Sequence, residues 1–329
     1  MSRTSLLAYA SVLVLAGTVA LQAAPQAPAA PKAAPAPAAP RAAAAPQAPM
    51  GPTINGPTTR YDVKAIDIND VFGTVRVTVT NSGPVTLAMS GPRQAMDKIK
   101  VVATGGTLRI NEEHMEHVWN WREWFDFKRD RRDRITLNLT APKGTSFAMD
   151  DFVGEFTVGD LEAPVKIGAA AAKGTIGNVQ RAYIELAGSG NIQIGTVTEQ
   201  LKVEIAGSGT IKAGASAGAS IEIGGAGDAT LGPVLGGLKV EIAGSGDVQV
   251  ASVNGPCSIE TAGAGNIRID TGECNPLKVE MLGAGDLVFG GEAVNPEITA
   301  MGSGNVTLKS YRGKLSTEGM THVKIGSKD

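Results

Sequence analysis

The sequence predicts an all-β protein built as a right-handed, single-stranded parallel β-helix, a solenoid whose coils hold about 19 residues each. Three observations lead to this prediction. A Gly-x-Gly triplet recurs at a fixed period, branched apolar residues keep one phase around the triplets, and the repeating unit is too short for a helical crossover between parallel strands.

The triplets are the clearest sign of a stacked repeat. Their first glycines are separated by steps of 19, 18, 19, 19, 20 and 19 residues. These glycines are Gly188, Gly207, Gly225, Gly244, Gly263, Gly283 and Gly302. A fixed period with a glycine-rich corner in every unit is typical of a solenoid, in which each unit contacts only its neighbours. We expect the chain to turn at each triplet, because glycine gives the backbone the necessary freedom.

Apolar and polar residues alternate on both sides of each triplet. Counted from the first glycine, positions −4, −2, +4 and +6 are mostly apolar, whereas −3 and +5 are mostly polar. Around Gly244 the apolar positions are Val240, Ile242, Val248 and Val250. Period-two alternation indicates strands with one buried face. Each unit is therefore predicted to be one coil, stacked about 4.8 Å from the next.

The repeat continues in weaker form on both sides of the triplets. Upstream, Gly154 and Gly174 hold the same phase with one glycine each, and downstream Gly319 opens an atypical last coil. Four apolar runs further upstream, separated by Gly and Pro, are predicted to be strands. They are Val75–Val79, Val85–Leu87, Ile99–Val101 and Leu108–Ile110. Residues 60–326 are predicted to form the β-helix, with room for about 13 coils.

The first 59 residues precede this domain. Residues 1–23 combine a basic Arg3, an apolar run and small residues at its end, which is the pattern of a secretory signal peptide. Residues 24–59 are predicted to be a disordered Ala/Pro-rich linker, because frequent proline prevents a stable helix and favours polyproline II. We expect export across the inner membrane and a periplasmic or cell-surface location; an uncleaved N-terminal anchor is the alternative.

Charge and composition argue against several classes of partner. The net charge of −2 and the pI of about 6.0 argue against nucleic acid. Beyond the signal peptide, no apolar stretch reaches the roughly 20 residues of a membrane span. His114 and His117 are three residues apart and do not form an HExxH motif. We expect neither a metal nor another cofactor.

Two cysteines offer one candidate cross-link. Cys257 and Cys274 are 17 residues apart, slightly less than one coil, so we expect them on neighbouring coils. In an oxidising compartment they can form a disulfide, and the alternative is two free thiols buried in the core. The sequence leaves both open, because a phase shift of two or three residues can move the Cα atoms beyond about 7 Å.

A row of glutamates is the most unusual predicted surface feature. Position −3 is Glu in six of the seven units. These residues are Glu185, Glu204, Glu222, Glu241, Glu260 and Glu280. One interpretation is a solvated charged edge that prevents sideways association; the other is a polyvalent surface for Ca²⁺ or a cationic partner. Lysines at −5 in alternate coils can relieve the repulsion between stacked carboxylates.

The residue after each triplet is predicted to have a structural role. It is Asn191, Thr210, Asp228, Asp247, Asn266, Asp286 or Asn305. Stacked Asn or Asp side chains at a corner can bond their own backbone and the neighbouring coil. The pattern differs from nine-residue calcium repeats in both its period and the place of its Asp.

One segment, residues 111–134, interrupts the repeat. It contains all three tryptophans and a run of arginines. Aromatic rings beside arginines suit sugars and anionic headgroups, which predicts a recognition loop; the alternative is a lid over an open edge of the rod. The candidate contact residues are Trp119, Trp121, Trp124, Arg129, Arg131 and Arg132.

The corner motif resembles a known family. The stretch Gly188-Ser189-Gly190-Asn191-Ile192 is similar to the signature of the putative auto-transporter adhesin, head GIN domain. A further stretch, from Val71-Phe72-Gly73 through Asp150–Gly154, resembles related adhesin β-helix domains, and the resemblance includes the lead-in Ala141–Thr145. The resemblance covers residues 60–326. It implies a β-helix and an adhesin-like role, and it carries over no catalytic residues.

These features predict a non-catalytic, secreted envelope protein, an adhesin-like rod that binds a cell-surface or cell-wall component. The expected partner is an envelope glycan, lipopolysaccharide or another envelope protein. Two alternatives are a periplasmic structural or envelope-stress module and a polysaccharide-active β-helix enzyme. The enzyme is disfavoured because exposed carboxylates are spread along the rod without a nucleophile–base set.

Overall fold

The computed structural model describes residues 53–113, 134–319 and 322–328 and has the predicted architecture. The described residues form a parallel β-solenoid of about nine turns with coils of about 19 residues. All 23 strands belong to one continuous hydrogen-bonded system, and the single helix within the described ranges has four residues. The prediction of an all-β solenoid is confirmed.

The regular coils begin at β9. From there each strand pairs in parallel with the equivalent strand one coil away, so the ladder hydrogen bonds run along the length of the rod. The strands of this part are β9 (Ser146–Val158), β10 (Val165–Ile176), β11 (Ala182–Ile194), β12 (Val197–Ile205), β13 (Thr210–Ala213), β14 (Ser216–Gly225), β15 (Asp228–Val234), β16 (Leu238–Gly244), β17 (Val248–Gly263), β18 (Ile267–Gly283), β19 (Leu287–Val294), β20 (Glu297–Gly302), β21 (Asn305–Arg312), β22 (Ser316–Gly319) and β23 (His322–Lys328).

The N-terminal end has a different construction. Its elements are β1 (Thr53–Asn55), β2 (Thr59–Tyr61), β3 (Ala65–Asn69), β4 (Phe72–Thr80), β5 (Val85–Pro92), α1 (Arg93–Met96), β6 (Ile99–Thr104), β7 (Thr107–Glu112) and β8 (Ile135–Pro142). The first coil, β3 and β4, lies between β9 on one side and β7 and β8 on the other, and all these pairs are parallel.

Antiparallel strands close this end. β6 runs antiparallel to β7, β5 runs antiparallel to β8, and β1 and β2 pair with β5. The apolar runs Val85–Leu87 and Ile99–Val101 are strands, as predicted. The expectation of about 13 parallel coils is wrong, because these strands return along the outer coil as a cap and add no coil of their own.

The predicted inward and outward phase is confirmed. Side chains at −4, −2, +4 and +6 are buried in nearly every regular coil. Ile205, Ile223 and Ile242 form one internal row, each paired with its equivalent in the next coil. Thr261 continues this row between Ile242 and Met281. Its buried hydroxyl has no hydrogen-bond partner in the described part of the chain.

The two glycines of a triplet are required for different reasons. Gly244, the first of its triplet, has φ +147°, which side chains rarely adopt. A Cβ there would also lie 2.1 Å from the Gly225 carbonyl oxygen. Gly246, the second, has no such φ, but its Cβ would lie 2.1 Å from the Gly227 oxygen. The corners therefore stack so closely that consecutive coils leave no room for a methyl group.

A disulfide joins two adjacent coils. The Sγ atoms of Cys257 and Cys274 are bonded, their Cα atoms are 5.4 Å apart, and both residues are buried. A bulge in the pairing of β17 with β18 between Gly255 and Cys257 brings the two residues together. The bridged alternative is the one that the structure has, and a loop of this length contributes about 3 kcal/mol to stability.

Within the described ranges, no helix is both long and apolar enough to cross a membrane.

Candidate functional site

The six predicted glutamates form one continuous outward row. Glu185 pairs with Glu204, and the pairing continues without a gap through Glu222, Glu241 and Glu260 to Glu280. Consecutive carboxylates are therefore one strand spacing, about 4.8 Å, apart at the backbone. The predicted register of these glutamates is confirmed, and the proposal that the row binds Ca²⁺ or a cationic partner stays a prediction.

A second outward row runs beside the glutamates and compensates part of their charge. It contains Lys202, Ser220, Lys239 and Ser258 in consecutive coils, followed by Lys278. Lys202 Nζ lies 2.5 Å from Glu204 Oε1, and Lys239 forms an ion pair with Glu241. The basic residues thus occur in alternate coils, two residues before a glutamate on the same face of the strand.

One position in the charged rows is held tightly. The Tyr183 hydroxyl donates to Glu204 Oε2 at 2.9 Å and lies 3.4 Å from Glu185 Oε2. Burial, followed by the repulsion from Glu204, raises the pKa of Glu185. Burial and the hydrogen bond to Glu204 raise the pKa of Tyr183. The Tyr183 side chain is thereby fixed, because its hydroxyl stays protonated and bridges two carboxylates.

The Asn/Asp corner also forms a ladder. Asp247 Oδ1 accepts hydrogen bonds from the backbone N of Asn266 at 2.9 Å and from its side-chain Nδ2 at 3.0 Å. Asn266 Oδ1 accepts from the Asp286 backbone N, and Asp286 Oδ1 accepts from both nitrogens of Asn305. The predicted structural role is confirmed in these coils, since each side chain satisfies a backbone donor of the following coil.

The Trp/Arg-rich insertion falls largely outside the described residues. Its predicted contact residues Trp119, Trp121, Trp124, Arg129, Arg131 and Arg132 all lie there. Its flanks are attached to the first coils: Glu112 Oε2 accepts a hydrogen bond from Phe72 N at 3.3 Å, and the Arg134 guanidinium lies 5.3 Å from the centre of the Phe72 ring. Glu112 ends β7 and Arg134 precedes β8, so the insertion leaves and rejoins one coil.

The flanks of the insertion lie at the corner that the triplets occupy elsewhere. Ile135 pairs with Gly73, and Gly73 pairs with Gly154. Through Ala172 this column continues to Gly190, the second glycine of the first triplet. The interruption seen in the sequence therefore falls between strands that are joined by a tight corner in the regular coils.

A groove near the N-terminal end was not apparent from the sequence pattern. It encloses about 540 Å³ and crosses six coils from β7 to β12. One side is the outward row Arg109, Asp67, Ala148, Lys166, Tyr183 and Lys202. The sequence indicated this row only at position −5 of the first triplets, which Tyr183 and Lys202 occupy. Its upstream continuation could not be followed because the first coil is nested and β9 and β10 contain bulges.

Metal binding finds no support in the described segments. They contain no group of three or more His, Cys, Asp or Glu side chains arranged to hold an ion. The stacked glutamates share one row at regular spacing and do not converge on a point.

The chain is similar to a described protein family. The model of the family described as "Putative auto-transporter adhesin, head GIN domain" matches residues 67–253 and 238–317. No curated protein gives a significant match.

Solved structures give further likenesses. A putative adhesin from Bacteroides fragilis is 17% identical over 84% of this chain and 98% of that chain, with a TM-score of 0.33. A putative adhesin from Parabacteroides merdae is 12% identical over 84% and 96%, with a TM-score of 0.36. A putative lipid binding protein from Parabacteroides distasonis is 16% identical over 84% and 96%, with a TM-score of 0.33.

The assignment depends on the family model, since all three TM-scores lie below 0.5. The two matched segments together span most of the solenoid, from β3 to β22, and include all seven triplets. The chain therefore belongs to the family of the putative auto-transporter adhesin, head GIN domain.

Proposed function

We propose that this protein is a non-catalytic, secreted envelope protein that presents a rigid solenoid to a cell-surface or cell-wall component. The observation that carries the proposal is the unbroken register of outward side chains over many coils. A surface whose chemistry repeats every coil suits an extended, repetitive partner, because weak contacts at successive coils add through effective concentration.

Membership of an adhesin-like family supports this role. The arrangement of the titratable groups supports it as well. The hydrogen bonds from Tyr183 to Glu185 and Glu204 join the row of stacked glutamates to the row beside it. Lys202 and Lys239 in that second row each form an ion pair with a glutamate of their own strand. Such pairs orient one another on the surface, and they leave no activated nucleophile beside a base.

We also propose that the segment from Trp119 to Arg134 contacts the partner. The position of its flanks supports this proposal. They belong to β7 and β8, in the outermost parallel coil of the capped end. A contact segment at one end of a rod can meet a partner that the rest of the rod does not touch.

Deleting residues 115–132 tests the contact segment. A recognition segment can be shortened with little change in the thermal midpoint but with loss of binding to cells, peptidoglycan or lipopolysaccharide. A lid cannot be removed without exposing apolar core, so the free energy of unfolding would fall by several kcal/mol at about 25 cal/mol per Å². A destabilised deletion variant, together with an intact protein that binds none of these components, would favour the periplasmic structural module.

A protease experiment on intact cells tests the location. Because β1 begins at Thr53, the target is the part of the predicted linker between residues 24 and 52. A surface protein is cleaved there without permeabilisation of the outer membrane, whereas a periplasmic protein is cleaved only after permeabilisation. Cleavage that requires lysis of the inner membrane would contradict export.

A further inference from the structure

We propose that the groove crossing β7 to β12 binds an acidic polysaccharide, a sugar chain that carries carboxylate groups. This inference rests on the proposed function, because it names the chemistry of the envelope component and gives it a place on the rod. It does not involve the insertion, whose contact role is tested separately above.

The groove arises from short side chains in the middle of two outward rows. Ala148 occupies the row in which neighbouring coils carry Asp67 and Lys166. In the adjoining row the floor is formed by Ala65, Ser146 and Pro164. The resulting trough crosses six coils, about 24 Å at one strand spacing per coil. Its length and open ends suit a linear polymer better than a compact small molecule.

The edges of the groove are basic on a chain whose net charge is −2. Four cations line it, namely Arg109, Lys166, Arg181 and Lys202, with one carboxylate, Asp67. Their side chains are 53%, 46%, 58% and 47% exposed, so the charged ends remain accessible to a ligand.

Each of these four cations is ion-paired: Arg109 with Asp67, Lys202 with Glu204, and the other two with carboxylates behind the rim. Lys166 Nζ lies 2.9 Å from Asp150, and Arg181 Nε lies 2.7 Å from Glu199 Oε2. Neither of those two carboxylates lines the groove. Lysine and arginine have three and five N–H donors, so each paired cation keeps donors for a ligand carboxylate. Preorganised cations lose less side-chain entropy when the ligand binds.

An aromatic ring completes the groove. Tyr183 lines it between Lys166 and Lys202 in the same outward row. Its hydroxyl is anchored on Glu204, and Lys202 Nζ lies 5.1 Å from the centre of its ring. A fixed, half-buried ring between two cations offers an apolar surface to the C–H face of a sugar and a positive charge on each side for its carboxylates.

Binding of short oligogalacturonates to the full chain tests this inference, with the methyl-esterified oligomers of equal length as uncharged probes. We expect the acidic oligomers to bind, with an affinity that falls as salt is raised. The esterified oligomers should bind at least about tenfold more weakly.

Three variants locate the site. The double variant K166Q/R181Q removes two rim charges, and A148W fills the trough. Each should weaken binding of the acidic oligomer by about tenfold or more. The matched control K212Q/R268Q makes the same change of net charge on a different outward row, the one at position +5 after the triplets. This variant should bind like wild type. Thermal midpoints show whether each variant is folded.

The outcomes separate this inference from the proposed function. Binding to cells that is equal in wild type, A148W and K166Q/R181Q would overturn the groove and leave the adhesin-like role standing. Groove-dependent binding of the oligomer without any binding to cells or envelope fractions would support the groove and contradict the role. Equal binding of acidic and esterified oligomers, or binding only to anionic phospholipid vesicles, would overturn the ligand class.

Discussion

At the scale of single residues, the period-two alternation determines what a substitution costs. Ile242 is buried in an internal row, whereas the adjacent Glu241 belongs to the outward glutamate row. We expect I242A to lower the free energy of unfolding by about 2–5 kcal/mol, as cavity-forming changes do. E241A should stay within about 0.5 kcal/mol of wild type, because the lost ion pair with Lys239 is offset by relief of repulsion in the row.

Chemical denaturation of the two variants measures this difference. Similar losses for both residues would contradict the inward and outward phase. K239A serves as the control, because it removes the same ion pair without relieving the repulsion and should be less stable than E241A.

A buried threonine offers a test in the opposite direction. The Thr261 hydroxyl is enclosed between Ile242 and Met281 without a partner in the described residues. Valine has nearly the same shape and no buried hydroxyl, so T261V should stabilise the protein by about 1 kcal/mol. The thermal midpoint and denaturant midpoint report the change, and a loss of stability would show that the hydroxyl has a partner.

The raised pKa of Glu185 predicts a pH dependence. The folded protein keeps the proton on the Glu185 carboxyl group to a higher pH than the unfolded chain does. In the unfolded chain a glutamate has a pKa of about 4.3. The stabilisation that protonated Glu185 contributes is complete below that value. It is lost as the pH rises through the pKa of Glu185 in the folded protein. E185Q cannot ionise, so it should melt at a higher temperature than wild type at neutral pH, with a smaller difference at acidic pH.

Melting curves of E185Q and of E260Q across this range provide the comparison. Glu260 is exposed in the same row. Its variant controls for the loss of one carboxylate from the row. An advantage of E185Q that does not shrink on acidification would rule out the linkage.

At the scale of elements, the corner ladder couples each coil to the next. Asp247 accepts two hydrogen bonds from Asn266, and its own N–H donates to Asp228 Oδ1. We expect D247A to cost about 1 kcal/mol, because a backbone donor at the stacked corner loses its charged acceptor. Q249A, on the outward face of the following strand, should be neutral; equal effects in denaturation experiments would remove any special role for the ladder.

The strands that follow the 19-residue repeat could be predicted from the sequence, and the strands outside the repeat could be placed much less well. The strands around Val240 and Val248 followed from alternation and spacing alone, because each repeats an environment seen in seven units. The cap did not follow, because β5 and β6 share no period with the coils. Its signal was Gly105-Gly106, two glycines with φ +59° and +76° in the turn between β6 and β7, a sequence typical of a tight hairpin.

The candidate site was less predictable than the fold. The glutamate row needed only the triplet phase, whereas the groove needed the register of β3, β7, β9 and β10 together. Ala148 became informative only when placed between Asp67 and Lys166, and those residues lie far apart in the sequence. A local sequence pattern cannot reveal contacts between strands that are adjacent in space but far apart in the sequence.

At the scale of the whole molecule, a solenoid should tolerate the loss of a complete coil. Deleting residues 227–245 removes one unit and joins Ala226 to Gly246, which then takes the corner position that Gly227 occupied. The equivalent rows meet again, so the variant should fold, melt only slightly below wild type, and be shorter by about 4.8 Å. Circular dichroism, melting and small-angle scattering measure these properties.

A shorter deletion is the control. Removing residues 227–236 shifts the phase of β16, so that its apolar side chains meet the wrong part of the coil. We expect this variant not to fold. If both deletions behave alike, the coil is not the unit of stability.

The nested first coil has a consequence for the order of folding. β3 and β4 emerge early from the ribosome, but the strands on both of their edges come later in the chain. A chain that appears N-terminus first completes its cap only after β8 has emerged, and the other edge of the first coil stays open until β9 follows. The later coils have no finished end on which to stack before then. We therefore expect the leading part of the chain to remain incompletely folded until β9 has been synthesised.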